Sequence, residues 1–175
     1  MKKMNIFIQA RMSSVRFPGK VLAPFNGVPL IKRVLDQVSK INNINDIVVL
    51  TSTELSDEPL VSYLNSLNCN VFRGDLNNVF LRFKRALSCY PCEYCVRICA
   101  DSPLLDSNLL QFMVDKCIKK QDLLMLSNVP KKSFPSGQSV EIIKSELIYG
   151  TDHKRLTKFE KEHVLPFFYD NVDTK

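Results

Sequence analysis

The chain has 175 residues, 45% hydrophobic and 24% charged, which suits one domain around a hydrophobic core and is too apolar for a disordered chain. No apolar run approaches the roughly 20 residues of a membrane span, and the opening residues pass straight into a segment broken by Gln9 and Arg11, so the expectation is a cytoplasmic protein without a signal peptide. The net charge of +6 is scattered among acids, which argues against a nucleic-acid-binding stripe; the exception is residues 2–20, where Lys2, Lys3, Arg11, Arg16 and Lys20 meet no acid and a concentrated anion is expected.

Residues 5–10 (NIFIQA) predict a first strand. After a loop containing glycine and proline, Pro29 fits the first turn of a helix whose apolar face is Leu30, Ile31, Val34, Leu35 and Val38. Residues 46–51 (DIVVLT) have the continuous apolar character of a strand buried in a parallel sheet. A helix follows with Leu60, Val61, Leu64 and Leu67 on one side, then a short strand at 70–73 and a helix at 77–87 turning Val79, Phe80, Phe83 and Leu87 inward. Residues 94–99 predict another strand. Leu109, Leu110, Met113, Val114, Cys117 and Ile118 mark a helix entered through Asp106 or Ser107 as N-cap. Two further strands are expected at 122–127 and 139–143, separated by a turn-rich stretch. Alternation of strand and helix predicts a single α/β domain over residues 1–175 with a doubly wound, mostly parallel sheet. Ligands of such sheets bind beyond the carboxyl ends of the strands, which directs attention to the loops after Ala10, Thr51, Arg73 and Ala100.

The first of these loops, residues 10–20 (ARMSSVRFPGK), combines three cations, two hydroxyls and a glycine. Guanidinium and ammonium groups neutralise a polyphosphate, while hydroxyls and backbone N–H groups satisfy single oxygens. The loop is neither a Walker A motif nor a dinucleotide fingerprint, and on composition alone it is an anion-binding loop or a solvated surface loop. Cys89, Cys92, Cys95 and Cys99 have the spacing of iron–sulfur ligands. Residues 93–100, however, read as a strand, which would hold Cys95 and Cys99 about 13 Å apart. Free thiols are the expectation.

The run QARMSSVRFPGKVL (9–22) resembles the opening of the CMP-sugar synthetase family, which includes the KDO and acylneuraminate cytidylyltransferases, and most of all the branch of the spore coat polysaccharide biosynthesis protein F. The likeness continues through VLTSTELSDEP (49–59), VFRGDLNNVFLRF (71–83), VRICADSPLLD (96–106), LSNVPKKSFPSG (126–137), VEII (140–143) and KEHVLPF (161–167), in the family's order. The resemblance implies a Rossmann-like nucleotidyltransferase fold and transfer of CMP from CTP to an acidic or deoxy sugar, with release of pyrophosphate, for polysaccharide or glycan synthesis. It implies that Arg11, Ser13, Ser14, Arg16 and Lys20 hold the CTP phosphates, with Arg73 near the nucleotide. Asp101 would bind Mg2+, and Lys20, Arg11 and Asp101 would form the catalytic group. Asn128, Glu141 and His163 are further candidates for contacts with the sugar. A homodimer is implied by relatives that pair through a C-terminal arm.

The sequence departs from the family at several positions. Ser13 stands where relatives often have glycine, Ser136 and Ser139 where they carry aspartates, and Lys161 where arginine is common. Relatives also continue beyond the block at 161–167 with a further aspartate motif, so the family's C-terminal segment is expected to be lacking here, and a nucleotide-binding relative with impaired catalysis is the alternative expectation. His163, beside Glu160 and Glu162, reads as a packed or solvated helix histidine or as a direct participant.

Overall fold

Along β1 (Met4–Gln9), Ile6 and Ile8 face one hydrophobic core and Phe7 the other, as the two-residue period of a strand requires. The computed structural model describes residues 2–120, 122–130 and 134–172. After β1 come a two-residue hairpin, β2 (Pro24–Phe25) and β3 (Val28–Pro29), then α1 (Leu30–Val38), β4 (Asp46–Ser52), α2 (Glu58–Ser66), β5 (Asn70–Gly74), α3 (Val79–Cys89) and β6 (Tyr94–Cys99). The chain continues through α4 (Ser107–Lys119), β7 (Met125–Ser127), β8 (Glu141–Lys144), α5 (Ser145–Gly150), α6 (Lys158–His163) and α7 (Pro166–Asn171).

The main sheet has the order β5-β4-β1-β6-β8-β7. Its four strands from β5 to β6 run parallel, and β8 is antiparallel to both β6 and β7. The expected mostly parallel, doubly wound sheet is therefore present. Helices α1, α2 and α4 cover one face through Ile31, Val34, Leu60, Leu64, Leu110 and Val114. The other face is covered by α3, α5 and α7 with Phe80, Phe83, Ile148 and Phe168. Phe7 meets Phe83 edge-on at 5.9 Å between ring centres, and each such buried aromatic contributes about 1.5–3 kcal/mol through the area it removes from water.

Most predicted elements lie within a residue or two of their observed bounds, and the differences have local causes. Pro29 caps α1 rather than entering its first turn, because its backbone is extended and pairs with Pro24. The strand expected at 122–127 begins only at Met125. Asp122 has φ +57, and the Leu123 carbonyl accepts the Tyr94 hydroxyl at 2.7 Å. Among the described residues no helix is long and apolar enough to cross a membrane.

β1 is the hinge of the strand order. β4 follows it in the chain and lies on one side, whereas β6 arrives after two further crossovers and lies on the other. The loops leaving β1 and β6 therefore lie side by side at the carboxyl edge of the sheet, where ligands of open α/β sheets bind.

Candidate active site

The loop after β1 is folded around one carbonyl. The Met12 oxygen accepts the N–H groups of Ser14 at 2.9 Å and Gly19 at 2.7 Å. Gly19 has φ +74, a left-handed conformation that side chains with a Cβ rarely adopt. The loop is also pinned to the neighbouring strand, because the Met12 N–H donates at 2.7 Å to Asp57. Asp57 is buried and accepts further hydrogen bonds from the Thr51 hydroxyl (2.8 Å), the Ser52 N–H (2.9 Å) and the Ser52 hydroxyl (2.5 Å). Burial raises a carboxyl pKa, but Ser52, the Met12 N–H and Thr51 together hold that of Asp57 below its ordinary 3.8.

So anchored, the loop lines a cavity of about 320 Å³ with Arg11, Ser14, Arg16 and Lys20. The end of β6 contributes Arg97, Cys99 and Asp101, the end of β1 contributes Gln9, and α6 contributes Glu162 and His163. Lys20 forms an ion pair with Asp101, and Arg11 pairs with Glu162 at 3.0 Å. Of the residues singled out in the sequence, the fold thus gathers Arg11, Ser14, Arg16, Lys20, Asp101 and His163 around one space.

Four other candidates are not on its wall. Arg73, at the end of β5, is held by Glu58 at 2.6 Å and by the carbonyls of Ser52 (3.0 Å) and Glu54 (3.3 Å). Asn128 braces the chain before β8 through the Gln138 carbonyl (2.7 Å) and the Val140 N–H (2.9 Å), and lines a separate cavity with Phe134 and Ser139. Glu141 is buried and reaches the first cavity only through Arg97, with which it forms an ion pair. Ser13 lies beside the cavity rather than on its wall, and its buried hydroxyl has no hydrogen-bond partner among the described residues.

Behind the cavity floor lies a polar cluster of which the sequence singles out only Glu141. Arg97 donates from Nε (3.2 Å) and Nη2 (3.0 Å) to the Gln9 side-chain oxygen and from Nη1 to Glu141. The Tyr169 hydroxyl, on α7, donates to the other Glu141 oxygen and lies 3.3 Å from the Ser127 hydroxyl. Burial lowers the Arg97 pKa, but the nearby Cys99 and Glu141 raise it above the ordinary arginine value. Burial, followed by Glu141, raises that of Tyr169, which therefore remains a neutral donor. A signal was present in the sequence: an arginine within the buried strand at 94–99 demands a buried acid, and Glu141 is the acid of the strand that pairs with it.

All six cysteines are free thiols, and Cys95 is buried among the α3-side core residues while Cys99 reaches the cavity. Burial raises both thiol pKa values. Among the described residues no group of three or more His, Cys, Asp or Glu could by itself hold a metal.

The sequence model of the cytidylyltransferase family matches residues 5–174. The chain belongs to the cytidylyltransferase family. This family likeness spans both the basic loop and the Asp101 strand end. An uncharacterized protein of Methanocaldococcus jannaschii is 31% identical over 164 residues, covering 94% of this chain and 66% of the relative. The spore coat polysaccharide biosynthesis protein SpsF of Bacillus subtilis is 27% identical over 172 residues, covering 94% of this chain and 69% of that protein. The structure of a cytidylyltransferase from Leptospira borgpetersenii superposes with a TM-score of 0.90 at 31% identity, over 98% of this chain and 72% of that one. The chain thus spans about two thirds of the length of these relatives.

Proposed function

We propose that the protein transfers CMP from CTP to a hydroxyl of an acidic or deoxy sugar and releases pyrophosphate. The observation that carries this reading is the meeting of Arg11, Ser14, Arg16 and Lys20 from one loop with Asp101 from the adjacent strand end around a single cavity, in a chain of this family. In the reaction the sugar oxygen attacks the α-phosphorus and gives up its hydroxyl proton to solvent, and the bond from that phosphorus to the bridging oxygen breaks. The electron pair leaves with pyrophosphate, and little covalent work is asked of the protein.

Lys20 and the two arginines would bind the triphosphate and stabilise the charge that develops on the departing pyrophosphate. Ser14 supplies a hydroxyl for a single phosphate oxygen. The donor set also fits Mg2+, because Asp101 presents a half-exposed carboxylate to the cavity, and one carboxylate with phosphate oxygens is a common magnesium environment. Bound there by Asp101, magnesium would supply Lewis-acid polarisation of the phosphate.

The test is pyrophosphate release with Mg2+, each of the four nucleoside triphosphates and a panel of sugars. Release with CTP and a sugar, and not with the other triphosphates, is expected. Equal release with ATP or GTP, or none with any pairing, would reject the reading.

A further inference from the structure

If CTP occupies the basic loop, the surface left for the second substrate is the floor formed by Gln9, Arg97, Cys99 and His163. The inference below rests on that reading of the loop. On this floor the permanent charge is Arg97, whose side chain is 11% exposed, while the Glu141 behind it is 4% exposed. A buried ion pair contributes little to stability compared with an apolar pair of the same volume, so stability does not explain an arginine at this place. Orientation does. Gln9 takes two N–H groups and Glu141 a third, leaving one N–H on each terminal nitrogen. Glu141 is fixed in turn by Tyr169, so the fork is held from behind by a chain of hydrogen bonds that runs from β8 to α7.

The geometry points to Arg97 as the specificity-determining residue for the acceptor, donating to the carboxylate of a sugar acid, with Glu141 and Tyr169 as positioning residues. The planar fork suits a two-oxygen group better than a single hydroxyl. Because Glu141 already offsets much of the guanidinium charge, the floor suits a monoanionic carboxylate and disfavours a second phosphate.

The experiment is calorimetric titration with 3-deoxy-manno-octulosonate and N-acetylneuraminate, and with glucose and mannose as neutral probes. It is run with the protein free and saturated with a non-hydrolysable α,β-methylene analogue of CTP. The wild type should bind at least one sugar acid, and neutral sugars at least about tenfold more weakly. Arg97→Lys should weaken the sugar acid by about tenfold while the nucleotide analogue binds within about twofold of wild type, because lysine keeps the charge and loses the fork. Orientation and charge separate at Glu141. Glu141→Gln, which can still accept from Arg97, should tighten the sugar acid, and Glu141→Ala should loosen it. If Arg97→Lys does not fold, Arg97→Met/Glu141→Met removes both buried charges together and carries the same comparison.

Sugar-acid affinity unchanged in the Arg97 variants, neutral sugars bound equally well, or no sugar acid retained by the wild type at millimolar concentration would each overturn the assignment. Failure of the nucleotide analogue to bind would instead count against the basic loop, and the titration without nucleotide would still test Arg97.

Discussion

The basic loop and the cluster behind the cavity floor both pair cations with carboxylates, yet they differ in exposure. Asp101 and Glu162 are 42% and 41% exposed in their pairs with Lys20 and Arg11, whereas Glu141 is 4% exposed in its pair with Arg97. Exposed pairs are worth about 0–1 kcal/mol and can be exchanged for a ligand at little cost. Buried pairs cannot be opened without stranding a charge in low dielectric. One side of the cavity is built to change partners and the other to keep them.

The largest expected effect tests the side that keeps its partners. Glu141→Ala strands the Arg97 guanidinium and should cost about 3–5 kcal/mol in urea unfolding, while Lys20→Ala should cost less than about 1 kcal/mol. Similar losses in both would erase the distinction.

Asp101→Asn addresses the exchangeable side. Its stability should stay within about 1 kcal/mol of wild type, while turnover should fall at least about 100-fold, or about 2.7 kcal/mol of transition-state stabilisation. Unchanged turnover with an unchanged magnesium requirement would move the metal away from this carboxylate.

Asp57 couples the loop to the sheet, so Asp57→Asn should destabilise by about 2 kcal/mol at neutral pH, the scale of hydrogen bonds to a charged group. The Asp57 pKa is depressed in the folded protein, so its contribution is complete above the ordinary carboxylate range and is lost as pH falls through the folded value. A plot of stability against pH should therefore be flatter on its acid side for the variant.

Lys20→Ala should weaken CTP binding by about 1.5 kcal/mol, the loss of one charge-assisted hydrogen bond, and a titration giving wild-type affinity would remove the loop from the site. The smallest effect belongs to the cysteines. Cys89 is exposed and Cys92 half-buried, so Cys89→Ser and Cys92→Ser should each change stability by less than about 0.5 kcal/mol in a melting experiment.

Legibility in the sequence follows the same division. The sheet and helices were readable because their signals are local: DIVVLT at β4 and the spacing of Val79, Phe80, Phe83 and Leu87 on α3 each encode burial within a few residues. The loop could be found because its cations lie close together in the chain. The cluster of Gln9, Arg97, Glu141 and Tyr169 runs from the first strand to the last helix, and only the pairing of β6 with β1 and β8 and the docking of α7 bring it together. Arg73, which the family resemblance places near the nucleotide, is held by Glu58 on the crossover helix that leads to its strand.

The Lys20–Asp101 pair also bears on the order in which ligands enter. In their ion pair each group cancels the other's charge, so a phosphate meets no bare ammonium there and a cation no bare carboxylate. A nucleotide arriving alone would take Lys20 and leave Asp101 facing its phosphates, and a metal ion arriving alone would strand Lys20. The two together replace one pair with two. Each ligand would, on the proposed reading, prepare the site for the other, and this mutual preparation would be equal in both directions by thermodynamic necessity. On the proposed reading, the lysine acts as an occupant of the metal's place that only the metal–nucleotide complex displaces without loss.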